Sequence, residues 1–480
     1  MPKKRALLDW IKIERRAPTQ LQHQVGGQIR AAIRSGRLPP GTPLPSSRTL
    51  AANLAIARGT ATVIYDRLIS EGWLDVRERS AIFVADGVDA RSTGKNSRIA
   101  AANFGALKEA IRNDEGLPPP YTAFLPGLPA FDIFPAVTWT RLLSARGRNM
   151  SLDLAGEGLH IGGYPALRVA LAEHLKLARG VLCEPHQVIV TSSARAALTA
   201  MCRFLASPGE RCLVEDPGYP IAHRIIVGCG LEAVPIPVDA NGMRVEQSLP
   251  NARLAYVTPT HQLPLGVALS SERCRMLIDW ATREEAWIIE DDYDSEFRYA
   301  GRPVVALQHL DPNGRVIHIG TFAKTLFPSL RVGFLVVPER LAHDVAIAVH
   351  LSGQEPVLHV QAALADFIMQ GHYAAHIQRA RGVYRRRQKL LVDTLNKHLD
   401  GILTVSQPAG GMNLLVRLPP EIPALTVQAR AAAEELHARA VSYYALKAEA
   451  PNALHLGFAP LLDRSIEPAA ASLAHVIRSI

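Results

Sequence analysis

The chain has 480 residues, of which 48% are hydrophobic and 20% charged, and its formal net charge is +9. This composition excludes a mainly disordered chain, which would be poor in hydrophobic residues, and the length predicts about two to four domains. No stretch approaches the roughly 20 consecutive apolar residues of a membrane span, and the basic N-terminus lacks the apolar core of a secretory signal, so we expect a cytoplasmic protein.

The excess positive charge is concentrated at the start of the chain. Residues 1–85 hold 14 Lys and Arg against 6 Asp and Glu, a net of +8, whereas the rest of the chain is nearly neutral. A basic domain attached to a neutral body indicates binding to a polyanion such as nucleic acid, although a solvated basic surface would carry the same charge. The five cysteines include no CxxC pair, which predicts reduced thiols and no metal site.

Three helices and a hairpin are predicted for residues 1–85. Apolar residues recur every four positions from Leu21 to Ile33, which is the spacing of one helix face. Ser46 or Ser47 is expected to cap a second helix, and Thr60 is a possible cap for a third. Residues 74–84 predict two short strands. This order of elements is that of a winged helix-turn-helix domain.

The stretch LPSSRTLAANLAIARGTATVIYDRLISEGWL resembles the GntR-type DNA-binding domain. The resemblance implies a double-stranded DNA operator as partner, with the third helix presenting its first turn to base edges and phosphate. Its DNA-contacting positions would be Arg48, Arg58, Thr60 and Thr62. The wing tip, residues 77–80, is charged and departs from the glycine-rich tip of the family.

Residues 86–120 are small and polar between Pro and Gly, and we expect a linker with one short helix around 106–112. From residue 121 to 480, short apolar runs alternate with longer helical patterns, which predicts an α/β domain with a mainly parallel sheet. Five of its strands would be 187–191, 211–215, 252–257, 286–291 and 315–320. Ligands bind at the carboxyl ends of such strands.

Polar groups follow these predicted strands. After the first strand a helix begins at Ser193 and Ala194, whose amides can form an anion site. Tyr219 follows the second strand, and Asp291 and Tyr293 would share one face of the fourth if the strand extends that far. After the fifth strand come a hydroxyl, a lysine and an arginine, namely Thr321, Lys324 and Arg331.

The segments EDPGYP (215–220), EDDYDSEFRY (290–299) and GTFAKTLFPSLRVGF (320–334) together resemble the aminotransferase-like half of MocR-type regulators. In these chimeras a GntR-type domain precedes a domain of the fold-type I class. The resemblance therefore implies that fold for residues 121–480 and pyridoxal phosphate as its cofactor.

The resemblance also implies a role for each candidate residue. Lys324 would bind the cofactor aldehyde as the internal aldimine, and Asp291 would pair with the pyridine nitrogen. Tyr293 would form a hydrogen bond with the phenolic oxygen, and Tyr219 would flank the ring. The phosphate would be held by the side chains of Thr321 and Arg331 and by the amides of Ser193 and Ala194.

Several positions depart from the family pattern. Ser193 and Arg195 replace the glycine and glutamine of the phosphate loop, and Arg195 would be either a phosphate ligand or simply exposed. The acidic side chains of Asp292, Asp294 and Glu296 are interpreted as a capped or solvated turn. Three further functional side chains of the family are replaced. Gly158 stands in place of a tyrosine supplied by the partner chain, Leu263 in place of an asparagine, and Ala323 in place of a serine.

His455 stands where many aminotransferases carry the arginine that binds a substrate carboxylate. A neutral imidazole pairs with a carboxylate much less reliably than a guanidinium does. Either the effector is not an ordinary α-amino acid, or Arg417, Arg439 or Lys447 supplies the charge. We interpret His455 as a packing residue.

The sequence thus predicts a DNA-binding transcriptional regulator that senses pyridoxal phosphate itself, an amine or an amino acid. The family resemblance implies a head-to-tail homodimer that reads direct or paired half-sites. One alternative is an active pyridoxal phosphate-dependent aminotransferase with a basic head. Another is a degenerate domain that binds no cofactor and only dimerises the DNA-binding domain.

Overall fold

The computed structural model describes residues 8–15, 19–77, 81–86, 123–148, 151, 154, 156, 160–246, 249–299, 304–405 and 407–480. The chain forms two compact units that divide between Asn103 and Phe104. The predicted linker beyond residue 86, the wing-tip residues 78–80 and Gly158 lie outside the described residues. None of the helices in the described ranges is long and apolar enough to cross a membrane.

In its described residues, the smaller unit contains three helices and a two-stranded antiparallel sheet, as predicted. The elements are α1 (Leu21–Arg34), α2 (Ser47–Leu54), α3 (Arg58–Ser70), β1 (Leu74–Arg77) and β2 (Ala81–Val84). The Ser46 side chain accepts a hydrogen bond from the Thr49 amide and caps α2. The predicted Thr60 cap is wrong, because α3 begins two residues earlier, after Ala57, and has no side-chain cap.

The core of the smaller unit is built from the apolar faces of its helices. Val25, Ile29 and Ile33 of α1 are buried in one cluster with Leu50 of α2 and Leu68 of α3. Their spacing is the helical period predicted from the sequence. Burying these faces leaves the polar sides of α2 and α3 exposed to solvent.

The larger unit contains a central eight-stranded sheet. Its strands are β3 (Val188–Thr191), β4 (Arg211–Asp216), β5 (Glu232–Asp239), β6 (Gly242–Met243), β7 (Leu254–Val257), β8 (Trp287–Asp292), β9 (Val316–Thr321) and β10 (Gly333–Val336). The order across the sheet is β3-β10-β9-β8-β7-β4-β5-β6. The neighbours among β9, β8, β7, β4 and β5 run parallel, whereas β10 is antiparallel to both β3 and β9. This confirms a mainly parallel sheet with the five predicted strands.

Helices precede, separate and follow the strands of the larger unit along the chain. They are α4 (Ala136–Arg148), α5 (Pro165–Arg179), α6 (Ala194–Leu205), α7 (Pro220–Gly228), α8 (Ser271–Arg283), α9 (Glu339–Leu351), α10 (Leu358–Met369), α11 (His372–His398), α12 (Ala424–Ala433) and α13 (Asp463–Arg478). Consecutive β8 residues Ile288 and Ile289 belong to different hydrophobic clusters, so both faces of the sheet are buried.

A second, three-stranded antiparallel sheet lies in the C-terminal part of the larger unit. It consists of β11 (Asn413–Arg417), β12 (Arg439–Ala440) and β13 (Ala453–Gly457), in the order β11-β13-β12. The Gly127 amide donates a hydrogen bond of 3.2 Å to the Asn413 side chain at the start of β11. Through this contact the small sheet approaches the carboxyl edge of the large one.

Candidate functional site

Lys324 lies in the turn that follows β9, at the carboxyl edge of the large sheet. Its Nζ donates a hydrogen bond of 2.6 Å to the carbonyl oxygen of Gly127. Gly127 has a φ of +78°, and a Cβ there would lie 2.8 Å from Nζ, so a glycine permits this approach. Burial, followed by the positive charge of Arg195, lowers the pKa of Lys324 to about 8. The amine is therefore available in its nucleophilic neutral form only slightly above neutral pH.

Asp291 is a buried residue of β8 beside Lys324. The Tyr256 hydroxyl donates a hydrogen bond of 2.5 Å to Oδ2, while Oδ1 is buried and has no hydrogen-bond partner. Burial raises the pKa of Asp291 to about 6, and the charge of Lys324 opposes this effect. A buried acceptor without a donor costs free energy, so Oδ1 is suited to a donor supplied by a ligand.

The two predicted tyrosines lie close enough to Asp291 to feel its charge. Because β8 ends at Asp292, Tyr293 lies just beyond the strand, and strand alternation does not place it on the face of Asp291. The Tyr293 hydroxyl donates a hydrogen bond of 2.9 Å to the His261 carbonyl. Tyr219 directly precedes α7; burial raises its pKa, and its contact with the Arg195 side chain opposes that rise.

The start of α6 lies against the start of β10. The Ser193 side chain caps α6, and a Cβ on Gly333 would lie only 2.7 Å from the Ala194 nitrogen. Gly333 is paired with Thr321 across the sheet and follows Arg331 by two residues. The structure thus brings the four predicted phosphate-binding residues to one corner of the carboxyl edge.

Two arginines lie at this corner, Arg331 as one of its four residues and Arg195 beside it. Arg331 is exposed and has a φ of +56°, a left-handed conformation that is uncommon outside glycine and is often retained at functional sites. Arg195 is also exposed, yet its charge acts on both Lys324 and Tyr219. The sequence leaves Arg195 as either a phosphate ligand or an exposed residue. In the structure Arg195 is exposed and also borders the site.

Asp292 at the end of β8 and Asp294 just after it are buried, and Glu296 is half-buried, so the predicted solvated turn is wrong. The Asp294 side chain does not cap the short helix that follows it. Asp292 forms an ion pair of 2.7 Å with Arg179, and the two residues are 8% and 7% exposed. Asp294 is 2% exposed and pairs with His261 at 3.0 Å. Burial also raises the pKa of Glu296 to about 7. Local composition was misleading because Arg179 and His261 come from distant segments of the chain.

His455 lies in the middle of β13 and is 2% exposed. Its Nδ1 is 2.8 Å from the Tyr444 hydroxyl, and burial lowers the pKa of His455 to about 3, so the imidazole is neutral. Arg439 is directly opposite on β12, which places the two side chains on one face of the sheet. Arg417 and Lys447, the other cations considered, are exposed.

Three side chains that contact the acidic residues at and just after the end of β8 were not identified from the sequence. Tyr256 contacts Asp291, Arg179 contacts Asp292 and His261 contacts Asp294. For Tyr256 a signal existed, because a tyrosine in a buried strand needs a partner for its hydroxyl. His261 fits against Gly411, where a Cβ would lie 2.1 Å from the imidazole Cε1. That contact joins segments far apart in the chain and left no pattern in the sequence.

The predicted DNA-contacting residues lie at two helix starts of the smaller unit. Arg48 is exposed in the first turn of α2, and Arg58 is exposed at the first position of α3. Thr62 is exposed and its hydroxyl donates to the Arg58 carbonyl, whereas Thr60 is half-buried. Exposed first turns of this kind can contact phosphate and base edges.

The residues around Lys324 fit pyridoxal phosphate. The amine with a lowered pKa suits the cofactor's aldehyde, and the unpaired Oδ1 of Asp291 suits a protonated ring nitrogen. The start of α6 beside Arg331 suits the phosphate. Within the described ranges, no group of three or more His, Cys, Asp or Glu could hold a metal ion.

Comparison with known proteins finds matches to both parts of the chain. The family described as "Bacterial regulatory proteins, gntR family" matches residues 21–84, and "Aminotransferase class I and II" matches residues 153–473. The probable rhizopine catabolism regulatory protein MocR of Rhizobium meliloti is 41% identical, covering 84% of this chain and 83% of that protein. The HTH-type pyridoxine biosynthesis transcriptional regulator PdxR of Corynebacterium glutamicum is 33% identical, covering 92% of each chain.

A solved structure shares the fold of the larger unit. The multiple substrate aminotransferase of Thermococcus profundus is 25% identical, with a TM-score of 0.67 over 78% of this chain and 94% of that chain. This confirms the predicted fold-type I architecture.

Proposed function

The chain belongs to the MocR-type regulators of the GntR family, and we propose that it regulates transcription in response to a small molecule bound beside Lys324. It is a DNA-binding protein whose aminotransferase-like domain binds pyridoxal phosphate. We place it in the cytoplasm, because a regulator must reach its operator.

The pairing of Lys324 with Asp291 is the observation that carries this proposal. Each charge shifts the pKa of the other group. Asp291, with a pKa of about 6, is mostly ionised at neutral pH, and Lys324, with a pKa of about 8, becomes the neutral amine slightly above neutral pH. When bound, pyridoxal phosphate supplies an aldehyde that condenses with amines and a ring that withdraws electrons. Lys324 would hold the aldehyde, Asp291 the ring nitrogen, and the corner formed by α6, Thr321 and Arg331 the phosphate.

The effector in this proposal is pyridoxal phosphate itself, or an amine or amino acid that binds beside it. Because His455 is neutral, it would not hold a carboxylate by charge. Arg439, on the same sheet face, is the cation placed to do so. Only an effector with different affinities for two states of the protein can switch its DNA binding.

The test compares the unaltered chain with Lys324→Ala. The purified protein with pyridoxal phosphate should show the absorbance of a lysine-bound cofactor, and Lys324→Ala should abolish it. Lys397→Ala, which removes an exposed lysine at the end of α11, should leave the spectrum unchanged. An unaltered protein without this absorbance would contradict the proposal.

An active aminotransferase is the second candidate, because Lys324 and Asp291 are both retained. The two functions separate in one assay that supplies an amino donor and a keto acid in excess. Sustained amino transfer over many turnovers would favour the enzyme. A change in DNA affinity on adding the cofactor or an amine, without sustained turnover, would favour the regulator.

A further inference from the structure

Tyr256 is placed by the sheet to meet Asp291. Tyr256 of β7 pairs with Ile289 of the parallel strand β8, and Asp291 lies two residues further along β8. Since side chains alternate along a strand, Ile289 and Asp291 share a face, and Tyr256 lies on that face too. The tyrosine side chain spans the remaining distance, and its hydroxyl lies 2.5 Å from Oδ2.

The two oxygens of Asp291 therefore have different surroundings. Burial raises the pKa of Tyr256 well above its usual value, so the hydroxyl keeps its proton and acts as a donor. Oδ2 accepts the hydrogen bond from this hydroxyl, while Oδ1 is buried without a partner. A carboxylate held by one oxygen has its other oxygen fixed in direction.

We infer that Tyr256 is a positioning residue for the cofactor, because its hydroxyl holds Oδ2 of Asp291 and thereby directs the anionic Oδ1 toward the pyridine nitrogen. This inference rests on the proposed binding of pyridoxal phosphate at Lys324. It assigns Tyr256 a function that its place in a buried apolar strand does not suggest.

The hydrogen bond from Tyr256 lowers the pKa of Asp291 and so opposes the effect of burial. Burial and the negative charge of Asp292 raise the pKa of Asp291, whereas Tyr256, Lys324 and His318 lower it. Glu215 and Tyr219 face Tyr256 itself and add to the rise in its own pKa. Without the hydroxyl, the Asp291 carboxylate would be more basic and would compete for the proton shared with the ring nitrogen.

The test is Tyr256→Phe, which keeps the aromatic ring in the core and removes only the hydroxyl. The protein is loaded with pyridoxal phosphate labelled with ¹⁵N in the ring, and the nitrogen resonance reports whether that atom is protonated. We expect a smaller protonated fraction at neutral pH and about tenfold weaker cofactor binding. A resonance and an affinity equal to those of the unaltered protein would overturn the inference.

Two comparisons separate this role from a general loss of structure. Tyr384→Phe removes another buried hydroxyl, which accepts from the Ala130 amide, and should leave the nitrogen resonance unchanged. In an Asp291→Asn background, Tyr256→Phe should have little further effect on affinity, because its action passes through the carboxylate. An undiminished effect in that background would overturn the inference. Absence of cofactor from the unaltered protein would instead contradict the proposed function.

Discussion

At the scale of single residues, the charge state of Lys324 governs cofactor binding. The neutral amine is the reactive form, and the pKa of Lys324 is lowered to about 8. The rate of cofactor attachment should therefore be low at pH 6, rise through half its maximum near pH 8 and level off above it. Stopped-flow absorbance across this pH range measures the rate, and a midpoint near the ordinary lysine value of 10.5 would contradict the lowered pKa.

Arg195 contributes to that lowering, so its removal should move the midpoint upward. We expect Arg195→Gln to raise the midpoint by a fraction of a pH unit, since Arg195 is exposed and its charge is screened by solvent. Arg203→Gln is the matched control, because Arg203 is an exposed arginine later in the same helix. Equal midpoints for the two variants would place Arg195 outside the site.

Arg439 should determine whether effectors with a carboxylate bind. Arg439→Gln is expected to weaken the response to amino acids by about tenfold, while the matching amines without a carboxylate are unaffected. The response is the change in cofactor absorbance as each compound is titrated. Arg417→Gln, at an exposed position of the same small sheet, is the control. A loss that is equal for both compound classes would exclude a carboxylate contact by Arg439.

At the scale of elements, Gly333 sets the distance between α6 and β10. In Gly333→Ala the new Cβ would lie 2.7 Å from the Ala194 nitrogen, so the helix start must shift away from Thr321 and Arg331. We expect a destabilisation of about 1–3 kcal/mol in urea unfolding, together with weaker binding of pyridoxal phosphate. Gly382→Ala in α11, where a Cβ meets nothing within 4 Å, should instead be neutral or stabilising. Unchanged cofactor affinity in Gly333→Ala would contradict the phosphate site.

The sequence predicts secondary-structure elements and the ends of strands better than it predicts which side chains contact each other. Lys324 and Asp291 were identified because each lies at the end of a recognisable apolar run. The bond from Tyr256 to Asp291 was not predictable, since it requires β7 and β8 to be neighbours, and strand order has no local signal. The burial of Asp292 was missed for the same reason, because Arg179 reaches it from a helix 113 residues away in the chain.

At the scale of the whole molecule, charge and cofactor chemistry are separated along the chain. Residues 1–85 carry a net charge of +8 out of +9, whereas Lys324 and its partners belong to the nearly neutral remainder. Salt should therefore weaken DNA binding strongly and cofactor binding only slightly, since the phosphate corner is a local site within a nearly neutral unit.

This separation leads to a prediction that does not require the operator to be known, because phosphate contacts also drive non-specific binding. If a homodimer neutralises on the order of eight phosphates, log affinity for a random-sequence duplex should fall against log salt with a slope of about −7. Arg48→Gln removes one contact from each chain and should make that slope shallower by about two. Arg417→Gln in the larger unit should leave it unchanged. Fluorescence anisotropy at several salt concentrations measures the slope, and a flat response would contradict the DNA-binding role of Arg48 and Arg58.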